Sequence, residues 1–203
     1  MKQGICITTS PFTKDFLRPC LESLKETPYD ILIVSNDNYK PDLSFFNRQY
    51  ELVLNEWNGW ELGGISRAKE RFEHFVHIMD TTLIKDISLF EKLFAIDGNV
   101  VLTAGNFHYQ GCFVTKELPN LPIVHDKTLA IYLEVRWLDG FEYTEFEPDL
   151  PCHTNVFEEI HGMKRMKLEN EYMIKWKGTH WITQKERDEI EQELIKRGAG
   201  VII

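Results

Sequence analysis

Phe75-Val76-His77-Ile78-Met79 is a short apolar run that stops on Asp80-Thr81-Thr82. An apolar run of this length, bounded by polar residues, is the pattern of a strand buried on both faces, and such strands belong to α/β proteins. An aspartate at the C-terminal end of such a strand stands where open α/β sheets bind ligands. Two stretches lead into the run. Residues 58–64 contain Gly59, Gly63 and Gly64 and read as a loop, and residues 66–74 have helical composition.

The start of the chain has the same logic. Gly4-Ile5-Cys6-Ile7-Thr8-Thr9-Ser10 reads as a first strand ending in small hydroxyl residues, and Pro11 breaks it. Thr13 is placed to cap a helix over 14–25, with Phe16, Leu17, Cys20, Leu21 and Leu24 on one face. Thr27-Pro28 closes that helix. Asp30-Ile31-Leu32-Ile33-Val34-Ser35 is a second buried strand, followed by Asn36-Asp37-Asn38. This is a βαβ unit, which is right-handed with parallel strands. All three residues after the second strand favour turns, so Asp37 is either a turn residue or a ligand carboxylate at a strand tip.

The next segments are expected as a short helix over 41–50, a third strand over 51–55, and a helix capped by Asp86 that runs to residue 93 or 94. The glycine loop matches neither G-x-G-x-x-G nor the P-loop pattern. Strands are expected over 99–104 and 141–146, with a helix over 127–138 between them. Residues 171–176 read as a strand. Thr183-Gln184-Lys185-Glu186 is a capping-box sequence that opens a helix to Arg197, closed by Gly198.

The order of these elements resembles the family 2 glycosyltransferases of the GT-A fold. In that family a small-residue, Gly-rich loop opens a helix, and a buried strand follows that ends in Asp-x-Asp. Here that position reads Asp80-Thr81-Thr82, without the second carboxylate. The family's Ala-Arg-Asn reads Ala68-Lys69-Glu70. The resemblance spans roughly residues 4–153. It implies a mostly parallel central sheet flanked by helices in a single compact domain, with a nucleotide-sugar-binding half over 1–98 and an acceptor and catalytic half over 99–203.

What the resemblance implies for function is specific. The chain would move a sugar from a nucleoside-diphosphate sugar, UDP-sugar favoured, to an acceptor hydroxyl with inversion. Thr8, Thr9, Ser10 and Asp37 would meet the nucleoside, and Gly64, Arg67, Lys69 and Asp80 would belong to the donor site. Arg67 or Lys69 would pair with the diphosphate. Asp126, where the family has the aspartate of Glu-Asp, would be the general base, with His125 in place of the glutamate. As an isolated residue Asp126 is equally an N-cap. Asp80 and Thr82, with His180 or His153, would hold a divalent metal, Mn²⁺ in preference to Mg²⁺ for a mixed carboxylate and imidazole set.

Composition narrows the partners. The 203 residues carry a net charge of −9, which argues against a non-specific nucleic-acid binder. The densest cationic run, Lys164-Arg165-Met166-Lys167, is expected as a solvated face. No run approaches the roughly 18 apolar residues of a membrane span. There is no signal-peptide pattern, and Cys6, Cys20, Cys112 and Cys152 are dispersed as in a cytoplasmic protein with reduced thiols. The acceptor stays open between a saccharide, a protein and a modified nucleic acid base. Two other readings also stay open. One is a nucleotide-sugar-binding or interaction module without catalysis, and the missing second aspartate favours it. The other is a nucleotidyltransferase of similar topology, which would carry a glycine- and basic-rich loop where Thr8-Thr9-Ser10-Pro11-Phe12 stands.

Overall fold

The protein is described by a computed structural model that covers residues 2–57, 59–104, 107–115, 142–146, 153–178 and 192. It is an α/β protein. Its first strands, β1 (Gln3–Thr9) and β2 (Asp30–Ser35), are joined by α1 (Lys14–Ser23). β3 (Glu51–Leu54), α2 (Trp60–Lys69), β4 (His74–Met79), β5 (Thr82–Ile84) and α3 (Ser88–Ala95) follow. Then come β6 (Val100–Ala104), β7 (Phe107–Thr115), β8 (Thr144–Phe146), β9 (His153–Ile160), β10 (Met163–Glu169) and β11 (Met173–Gly178).

Seven strands form one sheet in the order β3-β2-β1-β4-β7-β6-β8. β1 is parallel to β2 and β4, β2 to β3, and β6 to β8. β7 runs antiparallel to both of its neighbours. The chain therefore steps outward from β1 to β3 and then returns to the other side of β1 as β4. The order reverses between β1 and β4, and the crevice at such a reversal is where open α/β sheets place their ligands. A second sheet, β5-β11-β10-β9, begins immediately after Asp80.

Strand alternation assigns the two faces of the large sheet. Ile5, Ile7, Ile31, Ile33, Val76 and Ile78 join Leu17, Leu21 and Leu24 of α1, Leu89, Phe90 and Leu93 of α3, and Met166 and Leu168 of β10 in one apolar cluster. The intervening residues point the other way, toward α2. On that side a Cβ on Gly64 would lie 1.9 Å from Thr8 Oγ1, and one on Gly4 would lie 2.2 Å from the Phe72 ring. Close approach of α2 to β1 thus requires glycine at 64, and that of Phe72, just after α2, requires it at 4.

Several expectations change. Gly63 and Gly64 sit inside α2 rather than in a loop, because tight contact with β1 outweighs the helix cost of about 1 kcal/mol per glycine. The helix ends at Lys69 and His74 already belongs to β4. Residues 41–50 form no helix. There the Asp42 carboxylate accepts the Ser44 N–H at 3.0 Å, a local bond that competes with helix formation, while Leu43 and Phe46 are buried individually. The cationic run 164–167 is a strand in which Arg165 and Met166 are buried, so it is not simply a solvated face. Of the expected strand at 141–146, the described residues 142–146 form β8 over Thr144–Phe146. The helices expected over 127–138 and up to Arg197 lie outside the described residues.

Candidate functional site

Asp80 follows the last residue of β4, and its N–H donates to the Thr8 carbonyl at 2.9 Å. It is on the α1 side of the sheet, and its Oδ2 accepts the Thr9 hydroxyl at 2.7 Å. The residue is buried. Burial pushes the carboxyl well above the usual carboxylate range, and the Thr13 and Thr9 hydroxyls, Lys175 and Arg165 oppose that shift. Thr13 precedes α1 but makes no side-chain cap bond to it. Its hydroxyl instead lies 3.1 Å from that of Ser10, and Ser10 is also buried.

The cations come from the second sheet. Lys175 of β11 is buried and donates to the Thr81 hydroxyl at 2.8 Å, while the Trp176 N–H donates to the Thr81 carbonyl at 2.9 Å. Arg165 of β10 is 8% exposed, with its guanidinium 4.8 Å from the centre of the Phe16 ring in the first turn of α1. Its Nε has no hydrogen-bond partner among the described residues. Neither cation was singled out as a site residue in the sequence. Only pairing of β5 with β11 and of β11 with β10 carries them to the end of β4.

A second polar group lies on the opposite face, against α2. The Thr8 hydroxyl and His77 Nε2 are 2.8 Å apart. Burial, reinforced by the Lys175 charge, lowers the His77 pKa to about 3, so this imidazole is neutral. At the tips of β2 and β3, Asn55 Nδ2 donates to Asn36 Oδ1 at 3.1 Å, and Arg67 Nε donates to Asn55 Oδ1 at 3.3 Å. The Arg67 guanidinium also lies 6.0 Å from the Trp57 ring. Asp37 and Asn38 have φ of +58° and +52°, left-handed values that make this segment a tight turn.

The structure therefore places Thr8, Thr9, Ser10, Asp37, Gly64, Arg67 and Asp80 around the ends of the same strands but divides them between two faces. Thr9 and Asp80 sit toward α1. Thr8, Gly64 and Arg67 sit toward α2, with Arg67 engaged by Asn55, Trp57 and Glu70. Lys69 is exposed in the last turn of α2. Asn36, Asn55 and Trp57 are further members that the sequence did not single out. Their signal was slight, since a buried amide in a turn reads like any other turn residue.

The fit of a divalent cation can be examined at Asp80. The residue supplies one carboxylate, already bound to Thr9, and Thr82 begins β5 with only a hydroxyl to offer. Lys175 and Arg165 both act electrostatically on that carboxylate, and each would repel a dication. Among the described residues no three His, Cys, Asp or Glu side chains are grouped for a metal. One carboxylate and one hydroxyl beside two cations make a poor donor set for Mn²⁺ or Mg²⁺ on their own. His180, Asp126 and His125 lie outside the described residues. His153 opens β9, but its side chain lies outside the description.

The chain is thus an α/β protein with a polar, partly cationic cluster at the reversal point of its sheet. The chain matches no protein-family model, and no curated protein matches it. Among the described residues no helix is long and apolar enough to cross a membrane.

Proposed function

We propose that the chain is a glycosyltransferase that takes a sugar from a nucleoside-diphosphate donor, UDP-sugar favoured, and passes it to an acceptor hydroxyl. The observation that carries this reading is the position of Thr9 and Asp80, bonded at 2.7 Å across the β1/β4 reversal of a mostly parallel sheet. Ligands of α/β proteins bind at that point. The same strand ends carry Ser10 and Asp37, which suit a ribose or base.

In this reading the acceptor oxygen attacks the anomeric carbon as the bond to the leaving diphosphate oxygen breaks. The acceptor proton passes to Asp126, and the anomeric configuration inverts. Negative charge grows on the diphosphate and is met by groups fixed before the reaction begins, which is where such catalysis gains most.

Incubation with a panel of nucleotide sugars tests the activity. Release of one nucleoside diphosphate, abolished in Asp126→Asn while donor binding persists, is the expected result. Turnover undiminished in Asp126→Asn would remove that residue from catalysis. Donor binding with no turnover on any acceptor would favour a nucleotide-sugar-binding module.

A further inference from the structure

We infer that Arg165 and Lys175, rather than a divalent metal, neutralise the diphosphate of the donor. This rests on the glycosyltransferase reading and concerns the same site. The segment after β4 reads Asp80-Thr81-Thr82, so Asp80 supplies its one carboxylate. The second sheet delivers two buried cations to that carboxylate. Both cations favour an anion beside them and repel a dication.

The surroundings fit an anion further. The Arg165 guanidinium covers Phe16 in the first turn of α1, so it stands at the N-terminal end of that helix, where backbone N–H groups favour negative charge. Its Nε is unpartnered among the described residues. Glu158, paired opposite Arg165 in the sheet, is engaged by Lys167 at 3.2 Å and by Trp176 Nε1 at 3.1 Å. Ser10 and Thr13 add hydroxyls at the same helix start. Arg165 Nη2 donates to the Met163 Sδ at 3.6 Å, and the remaining Nε–H suits a phosphate oxygen, with an ammonium beside it as a point charge.

The test is thermal unfolding of the full chain with UDP, GDP, ADP and UDP-glucose, each in EDTA and in Mn²⁺. The expected result is a stabilising shift by one nucleotide that is equal in the two conditions. In Arg165→Gln the affinity falls about tenfold or more, the loss expected for a charge-assisted hydrogen bond, and Arg165→Lys recovers part of it. A shift that requires Mn²⁺ overturns the inference and leaves the donor reading standing. Folded Arg165→Gln that binds as tightly as the parent overturns it as well. No shift by any nucleotide in either condition sinks the donor reading and this inference together. If Arg165→Gln fails to fold, the comparison of EDTA with Mn²⁺ on the parent chain decides alone.

Discussion

Thr9 donates its hydroxyl to Asp80 at 2.7 Å, joining the end of β1 to the first residue after β4. The two residues are remote in sequence and become neighbours only because β4 returns to lie beside β1. The bond holds a buried carboxylate against α1, and the second sheet starts just beyond it.

Thr9→Val keeps the shape and removes the donor. Loss of a hydrogen bond to a charged, buried group costs about 1.5–3 kcal/mol, read as a lower denaturant midpoint at unchanged m-value. Asp80→Asn in the same chain makes the two changes non-additive by at least about 0.5 kcal/mol, as expected for residues in contact. Full additivity would show that the bond carries no energy.

Asp80→Ala destabilises the chain in the absence of any nucleotide. It removes the carboxylate that acts on the buried Lys175 and Arg165, and taking one member out of a buried charged cluster costs about 3–5 kcal/mol. Unfolding temperatures of Asp80→Ala and the parent in buffer alone decide it. Equal temperatures would mean that the cluster is not a structural link between the sheets.

Gly64→Ala places a Cβ 1.9 Å from Thr8 Oγ1 and 2.9 Å from His77 Nε2. The helix gains about 1 kcal/mol from alanine, but overpacking costs about 1–3 kcal/mol and the Thr8 to His77 bond is disturbed. The variant is therefore less stable than the parent. Gly63→Ala meets its nearest atoms at 3.0 and 3.2 Å, both on side chains, and is the milder change. Calorimetry that ranks Gly63→Ala below Gly64→Ala would contradict this packing.

His77 makes stability depend on pH. Its pKa is about 3 in the folded chain against an ordinary 6.5, so between these values the unfolded chain binds more protons. Stability from this residue is complete above about pH 6.5 and falls with decreasing pH at up to about 1.4 kcal/mol per unit. Asp80 has the opposite sign, because its pKa is raised on folding and protonation favours the folded chain. Subtracting the pH profile of His77→Gln from that of the parent isolates the histidine. A difference that is flat from pH 6.5 to 4 would mean that His77 is not buried neutral.

The early strands and α1 were legible in the sequence. Ile5, Ile7, Ile31 and Ile33 lie in β-branched runs, and Phe16, Leu17, Cys20, Leu21 and Leu24 recur at helical spacing; all are buried. Asp86 stands one residue before the Ile87 N-cap of α3, and its Oδ1 accepts the Ser88 N–H at 2.9 Å. The glycines of α2 misled, because local propensity disfavours a helix there, and their use is explained by tertiary contacts, Gly64 against Thr8 and Gly63 against the Asn55 and Asn36 side chains. Residues 41–50 misled in the other direction, where turn bonds at Asp42 outcompeted helical composition.

For the candidate site, the sequence determined which polar residues would stand at strand ends, because strand and turn chemistry are local. It placed Thr8, Thr9, Ser10, Asp37 and Asp80 there. It did not determine which residues share a face or which cations arrive from elsewhere. Consecutive strand residues point to opposite sides, so Thr8 meets His77 while Thr9 meets Asp80. Lys175 and Arg165 reach Asp80 only through the pairing of β5, β11 and β10, contacts between distant segments that local sequence does not encode.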